Sequence, residues 1–151
     1  MAGHWLMKTE PDVFSIDDLK AKKKAVWDGV RNYTARNFLR DQMKLGDQAF
    51  IYHSSCPEPG IAGIARVAKA GFPDPSAFDK RHEYYDPKSD PQAPRWYSVE
   101  VAFEKKAKAL IPLPWLREQQ PDMVMFKLNR LSITPISPEQ WRRLASLPGH
   151  W

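Results

Sequence analysis

His53-Ser54-Ser55-Cys56 sets one base-type side chain beside two nucleophile types, the inventory that acyl or phosphoryl transfer draws on. A working nucleophile needs its base within hydrogen-bond reach and a third group to orient that base. Neighbouring residues on a strand point to opposite faces, so His53 and Ser54 are poorly placed to serve each other. Cys56 stands directly before Pro57 in a turn with no cysteine-protease context. An ordinary strand end and a ligand-contacting role are the readings that remain. The four histidines (His4, His53, His82, His150) are scattered, with no His-x-x-x-His or Cys-x-x-Cys spacing, so no metal is expected. His82, Glu83 and Asp86 could meet a cation, as charged loops do by chance. Gly60-Ile61-Ala62-Gly63 lacks the lysine and following helix of a phosphate cradle, and no cofactor is called for.

Aromatics among cations are the stronger signal. Six tryptophans in 151 residues exceed what a core of this size requires. Trp115 and Trp141 lie in helical patterns and read as core, while Trp5 is ambiguous. Trp27, in Trp27-Asp28-Gly29-Val30-Arg31-Asn32, and Trp96, in Pro94-Arg95-Trp96-Tyr97, sit at element edges beside polar or basic residues. Such rings can stack on a base or enclose a methylated group. Spacing alone leaves a structural role for both equally open.

These residues need a frame. His4 to Thr9 reads as a strand, with Trp5 and Met7 alternating against His4, Leu6 and Lys8, and Glu10-Pro11 ends it. Ser15 caps a short helix over Ile16 to Lys20, with Asp18 in the capping-box position. Lys20, Lys22, Lys23 and Lys24 read as a solvated turn. Arg31 to Lys44 carries the clearest helical period. Ala35, Phe38, Leu39 and Met43 form its core face, and Asn32, Arg36, Arg40 and Lys44 form a polar ridge beside it. Gln48 to Ser54 and Gly60 to Ala70 are strands around a Cys56-Pro57-Glu58-Pro59-Gly60 turn. Gly71 to Pro94 has no period and reads as a long surface excursion. Arg95 to Lys108 is a strand, Pro112 opens a short helix, Arg130 to Ile136 is a last strand, and Ser137-Pro138 opens a last helix. Mixed strands with short helices and no βαβ alternation indicate an α+β fold with a curled or closed sheet.

The length suits one domain spanning 1–151. A single cysteine allows no internal disulfide, and no apolar run approaches the ~20 residues that cross a bilayer. A soluble, cytoplasmic protein, or a nuclear one in a eukaryote, is expected, with no membrane partner and no oligomeric state set by the sequence. The net charge of +5 favours a polyanionic partner.

Several blocks then speak together. Trp5-Leu6-Met7-Lys8-Thr9-Glu10-Pro11 with Phe14-Ser15-Ile16-Asp17-Asp18-Leu19 resembles the opening of the EVE domain family. Trp27-Asp28-Gly29-Val30-Arg31-Asn32-Tyr33, Ala35-Arg36-Asn37-Phe38-Leu39, Tyr52-His53-Ser54, Gly60-Ile61-Ala62-Gly63-Ile64-Ala65, Asp86-Pro87, Pro94-Arg95-Trp96 and Arg130-Leu131-Ser132 continue the resemblance in order along essentially the whole chain. It implies a PUA-like mixed β-barrel flanked by short α-helices. More distantly the chain is similar to YTH domains, readers of methylated adenine, whose Lys-Ser pair ending the first strand has its counterpart in Lys8-Thr9. Thr9 keeps the hydroxyl of the family's usual serine and adds a methyl.

The resemblance implies a binding module for a modified cytosine or similar base in DNA or RNA, single-stranded or flipped, and not an enzyme. Trp27 and Trp96 are the expected pocket walls. Thr9, Asn32 and Ser54 are expected to bond the base edge, with Asn37 or His53 sharing that task. Lys8, Arg31, Arg36 and Arg40 are the expected phosphate contacts. An enzyme using His53 or Glu10 as general base and a protein-binding adaptor are the alternatives.

Overall fold

The computed structural model of the chain describes residues 3–151. Its centre is a six-stranded mixed sheet in the order β2-β5-β4-β3-β1-β6. The strands are β1 (His4–Thr9), β2 (Lys24–Trp27), β3 (Gln48–His53), β4 (Gly60–Pro73), β5 (Tyr97–Pro112) and β6 (Ile133–Pro135). β1 runs parallel to β3, in register from His4↔Gln48 to Thr9↔His53, and antiparallel to β6. β3, β4, β5 and β2 pair antiparallel in turn, and β4 and β5 bend through four register shifts along their shared ladder. Such bulges increase local twist and curl a sheet.

Both faces of the sheet are covered, and that explains β1. Trp5 and Met7 enter one core, and Leu6 the other, so the expected alternation holds while all three side chains are buried. The first core lies between the sheet and α1 (Ile16–Lys22) and α2 (Tyr33–Asn37). The second lies under α3 (Leu113–Gln119), α4 (Val124–Lys127) and α5 (Pro138–Ala145). Trp141 stacks between Phe50 and His4, with ring centroids 4.0 and 4.6 Å away, and is core as expected. Trp5 is structural too: its indole N–H donates to the buried Asp47 carboxylate at 2.9 Å, which also accepts the Gly3 and Lys44 amides.

Several elements depart from the sequence reading: the last strand is Ile133–Pro135 where Arg130 to Ile136 was expected, α4 was not expected, and three further segments differ. The lysine run is not a turn. Lys20 and Lys22 complete α1, Lys23 closes it at φ +69°, and Lys24 opens β2. β2 ends the sheet, and an exposed lysine is a usual occupant of an edge strand. The helix over Arg31 to Lys44 is shorter and changes pitch. Asn32 caps α2 by accepting the Ala35 amide at 3.1 Å, and Phe38–Gln42 then form a π-helical turn closed by Met43 N–H to the Phe38 carbonyl. That turn lies hard on β4: a Cβ at Gly71 would stand 2.5 Å from the Leu39 carbonyl oxygen. Ala35, Leu39 and Met43 are buried all the same. The excursion starts later than Gly71, because β4 runs to Pro73 and a 3₁₀ turn over Pro75–Phe78 follows. Ser15 with Asp18, and Ser137 with Gln140, both form capping boxes.

Candidate base-binding cavity

A cavity of about 780 Å³ opens between the two ends of the curled sheet. Trp27, at the end of β2, is one wall. Lys8, Thr9 and Glu10 bring the end of β1 to the opposite side, and Phe14 meets the Trp27 ring edge-on at 6.4 Å. The volume is in the range of small-molecule and nucleotide sites.

The chain beyond Trp27 makes the third side. Gly29 takes φ +78°, which glycine adopts without penalty, and the Tyr84 ring occupies the place a Cβ would need. The fully buried Asp74 carboxylate holds this turn by accepting from Gly29 N, from Arg31 Nη1 and from the Ser76 amide and hydroxyl, at 2.7–2.9 Å. Burial raises its pKa, but those bonds outweigh the effect and hold it below the ordinary value. Arg31 also donates to the Tyr84 carbonyl at 2.6 Å, and its guanidinium lies between the Tyr84 and Trp96 rings, 5.7 and 5.3 Å from their centroids. The stack continues in both directions, with Tyr33 on Trp96 at 4.9 Å and His82 on Tyr84 at 5.2 Å. The loop carrying Tyr84 is thereby fixed against the cavity. Asp28 faces the cavity itself. Burial, then the neighbouring Asp74 charge, push its carboxyl above the usual aspartate value, against His82 and Arg31.

Cations gather at the mouth. Lys8, Lys22, Lys24, Arg31 and Arg130 all border it, with Glu10, Glu83 and Asp28 among them. Lys8 is half-buried, and that burial lowers its pKa.

The structure brings Thr9, Trp27 and Asn32 together at this cavity, with Lys8 and Arg31, and places the other expected residues elsewhere. Trp96 is not a second wall. Its ring is covered by Tyr33 and Arg31, and its N–H is held by Asp86 at 2.7 Å. Asp86 is thereby engaged apart from His82, which faces Asp28 at 4.0 Å. His53 Nε2 accepts the Ile16 amide at 3.1 Å, so the ring tethers the start of α1, and burial lowers its pKa. Ser54 lines a smaller hollow of about 340 Å³ with Cys56, Tyr52 and Arg117. Asn37 accepts from Arg36 Nε at 2.8 Å, and Arg36 also donates to the Arg95 carbonyl and lies over Tyr33. Arg40 pairs side-on with Asp41 through two 2.7 Å bonds. Within the cavity Arg31 is a structural clamp first. Phe14, Asp28, Tyr84, Lys22, Lys24 and Arg130 border the cavity without having been given a binding role from the sequence; Phe14, Asp28 and Arg130 stood in blocks that carry the family resemblance, and Lys22 and Lys24 in the lysine run.

Residues 3–147 match the EVE domain family. The chain belongs to that family. Human thymocyte nuclear protein 1 is 44% identical over 168 aligned residues, which take in 97% of this chain and 74% of the human protein. The crystal structure of human THYN1 in complex with 5-methylcytosine-containing DNA shares the fold with a TM-score of 0.91 at 45% identity, covering 97% of each chain. A Pseudomonas syringae protein of 46% identity matches with a TM-score of 0.90 over 95% of this chain and 98% of its own. The six-stranded mixed sheet with its short helices is therefore the PUA-like EVE fold, and the expected α+β class holds. Among the described residues of this EVE chain, β2 and β6 pair with one neighbour each. β2 and β6 end the strand order, and the cavity is bordered by β2 and by Arg130 and Ser132 just before β6.

Proposed function

We propose that the whole chain acts as one EVE domain that binds a modified cytosine in nucleic acid, taking one single-stranded or extruded base into the Trp27 cavity. The observation that carries this reading is the cavity: nucleotide-sized, walled by an indole and rimmed by cations. The human relative in complex with 5-methylcytosine-containing DNA supports the choice of base. Trp27 stacks on the base, Thr9 and Asn32 approach its edge, and Lys8, Lys22, Lys24 and Arg130 meet the phosphates on either side. Extruding a base from duplex costs a few kcal/mol, so single strands bind better.

The reading is of a binder without a reaction step. Of the two side chains that an enzyme would use as base, His53 already accepts the Ile16 amide and lies outside the cavity, and Glu10 borders it beside Lys8 and Thr9. The location it implies is the cytoplasm, or the nucleus of a eukaryotic cell.

The test is binding to short single strands carrying cytosine, 5-methylcytosine, 5-hydroxymethylcytosine or methyladenine at one central position. A preference for a modified cytosine is expected. Base–aromatic stacking contributes about 1–3 kcal/mol, so Trp27→Ala should weaken binding by about 5- to 150-fold and erase that preference. Modified-base binding that Trp27→Ala leaves intact would place the site elsewhere.

A further inference from the structure

Most polar groups around the Trp27 cavity are already committed within the fold. The Thr9 hydroxyl donates to the Phe14 carbonyl at 2.8 Å, Asn32 Oδ1 accepts the Ala35 amide, and Arg31 clamps Asp74 and Tyr84. Asp28 differs. It directly follows Trp27, it lines the same cavity, and its side chain is 37% exposed. The His82 imidazole Nε2 stands 4.0 Å away, beyond hydrogen-bond length, and among the described residues only Asp28's own backbone amide bonds the carboxylate. An exposed carboxylate with open lone pairs beside an aromatic wall is a receptor for a donor on the stacked group.

We propose that Asp28 accepts a hydrogen bond from the exocyclic amino group of the bound base, and so makes the cavity select cytosine-type over thymine- and uracil-type bases. This rests on the base-binding reading above and adds the group that sets its chemistry. Cytosine presents an amino donor at position 4, where thymine presents a carbonyl acceptor. Opposite thymine, the carboxylate and O4 would face each other as two acceptors, and a buried polar group left without its partner costs binding. A 5-methyl group does not distinguish the two bases, since 5-methylcytosine and thymine both carry it. Discrimination between them therefore reads the hydrogen-bonding edge apart from the methyl.

The experiment measures affinity by fluorescence anisotropy for one single-stranded sequence with 5-methylcytosine, cytosine or thymine at its centre. Wild type should prefer 5-methylcytosine to thymine by about 5- to 150-fold, the span of one good base-edge contact. Asp28→Asn is isosteric and supplies a donor as well as an acceptor, so that ratio should fall to within about 3-fold, chiefly because thymine binding improves. Asp28→Ala should lose 5-methylcytosine affinity with no gain for thymine, and thermal melting should show both variants folded. An Asp28→Asn protein that keeps the wild-type ratio overturns the proposal, whatever Asp28→Ala does. A wild type that binds 5-methylcytosine and thymine equally, and loses both in a Trp27→Ala protein that melting shows to be folded, overturns it while leaving the cavity reading standing, Trp27 being a member of the first core. Wild type that binds none of the three strands overturns both.

Discussion

His53 carries the imidazole that an enzyme of nucleotides would need, and the fold uses it as a hydrogen-bond acceptor for the first turn of α1. That use sets a pH dependence. Burial lowers its pKa, so below about 6.5 the unfolded chain binds more protons than the folded one. Stability is then fully present above about pH 6.5 and is lost as the pH falls toward the depressed folded value. His4 shifts in the same direction, also through burial, so the comparison must be with a variant. His53→Gln offers the Ile16 amide an oxygen that does not titrate. Urea unfolding between pH 5 and 8 should show the variant losing less stability on the acid side than wild type. A difference between the two proteins that is the same at every pH would remove the assignment. The two edge tryptophans make the matching point about legibility. Trp27 and Trp96 have similar polar neighbours in sequence, yet one faces the cavity and the other is packed beneath Tyr33 and Arg31. Their partners come from segments tens of residues away, which no local pattern encodes.

Elements were more legible than side-chain partners, because period and caps are local. β1 begins and ends where alternation and Glu10-Pro11 put it, and both serine caps hold. β2 was hidden behind the lysine run, and the π-helical turn after α2 leaves its buried face unchanged, so the hydrophobic period does not report it. The excursion between the 3₁₀ turn and β5 looked structureless, but it is held by a stack assembled from several elements: Arg36, Tyr33, Trp96, Arg31, Tyr84 and His82 in succession. Arg31 is the keystone, because it also neutralises the fully buried Asp74. Arg31→Ala leaves that carboxylate without its counter-charge, and should cost about 2–4 kcal/mol of stability. Arg31→Lys keeps the charge but loses the planar fork that reaches Asp74 and the Tyr84 carbonyl together, and should recover only part of that loss. Native-state hydrogen exchange is the sharper readout. Amides between residues 79 and 96 should exchange faster in Arg31→Ala by more than the global loss of stability accounts for. Equal acceleration across the sheet would mean that the stack does not hold the loop as a unit.

For the whole molecule, the decisive feature is where the positive charge is free to act. A net charge of +5 is a modest excess, and the sequence suggested that the arginines of the Arg31–Lys44 segment would carry phosphate contacts. The fold engages those arginines internally: Arg31 on Asp74, Arg36 on the Arg95 carbonyl and the Tyr33 ring, Arg40 on Asp41. The charge exposed at the cavity mouth comes instead from Lys22 and Lys24 on one side of the gap in the sheet and Arg130 on the other. This arrangement follows from the curl, since β2 and the approach to β6 are distant in sequence and meet only across the open seam. A strand whose base enters the cavity must carry its flanking phosphates across that seam. Each phosphate contact on a single strand contributes about −0.7 to the slope of log K against log salt. The Lys22→Ala, Lys24→Ala double variant should therefore make the slope shallower by about 1.4 while keeping the preference for the modified base, because phosphate contacts position a strand without reading it. Arg40→Ala should leave the slope within about 0.3 of wild type, its charge being already matched by Asp41. Titrations at four salt concentrations settle the matter. A slope that falls in Arg40→Ala and not in the lysine pair would move the nucleic-acid path off the seam and onto the helical ridge.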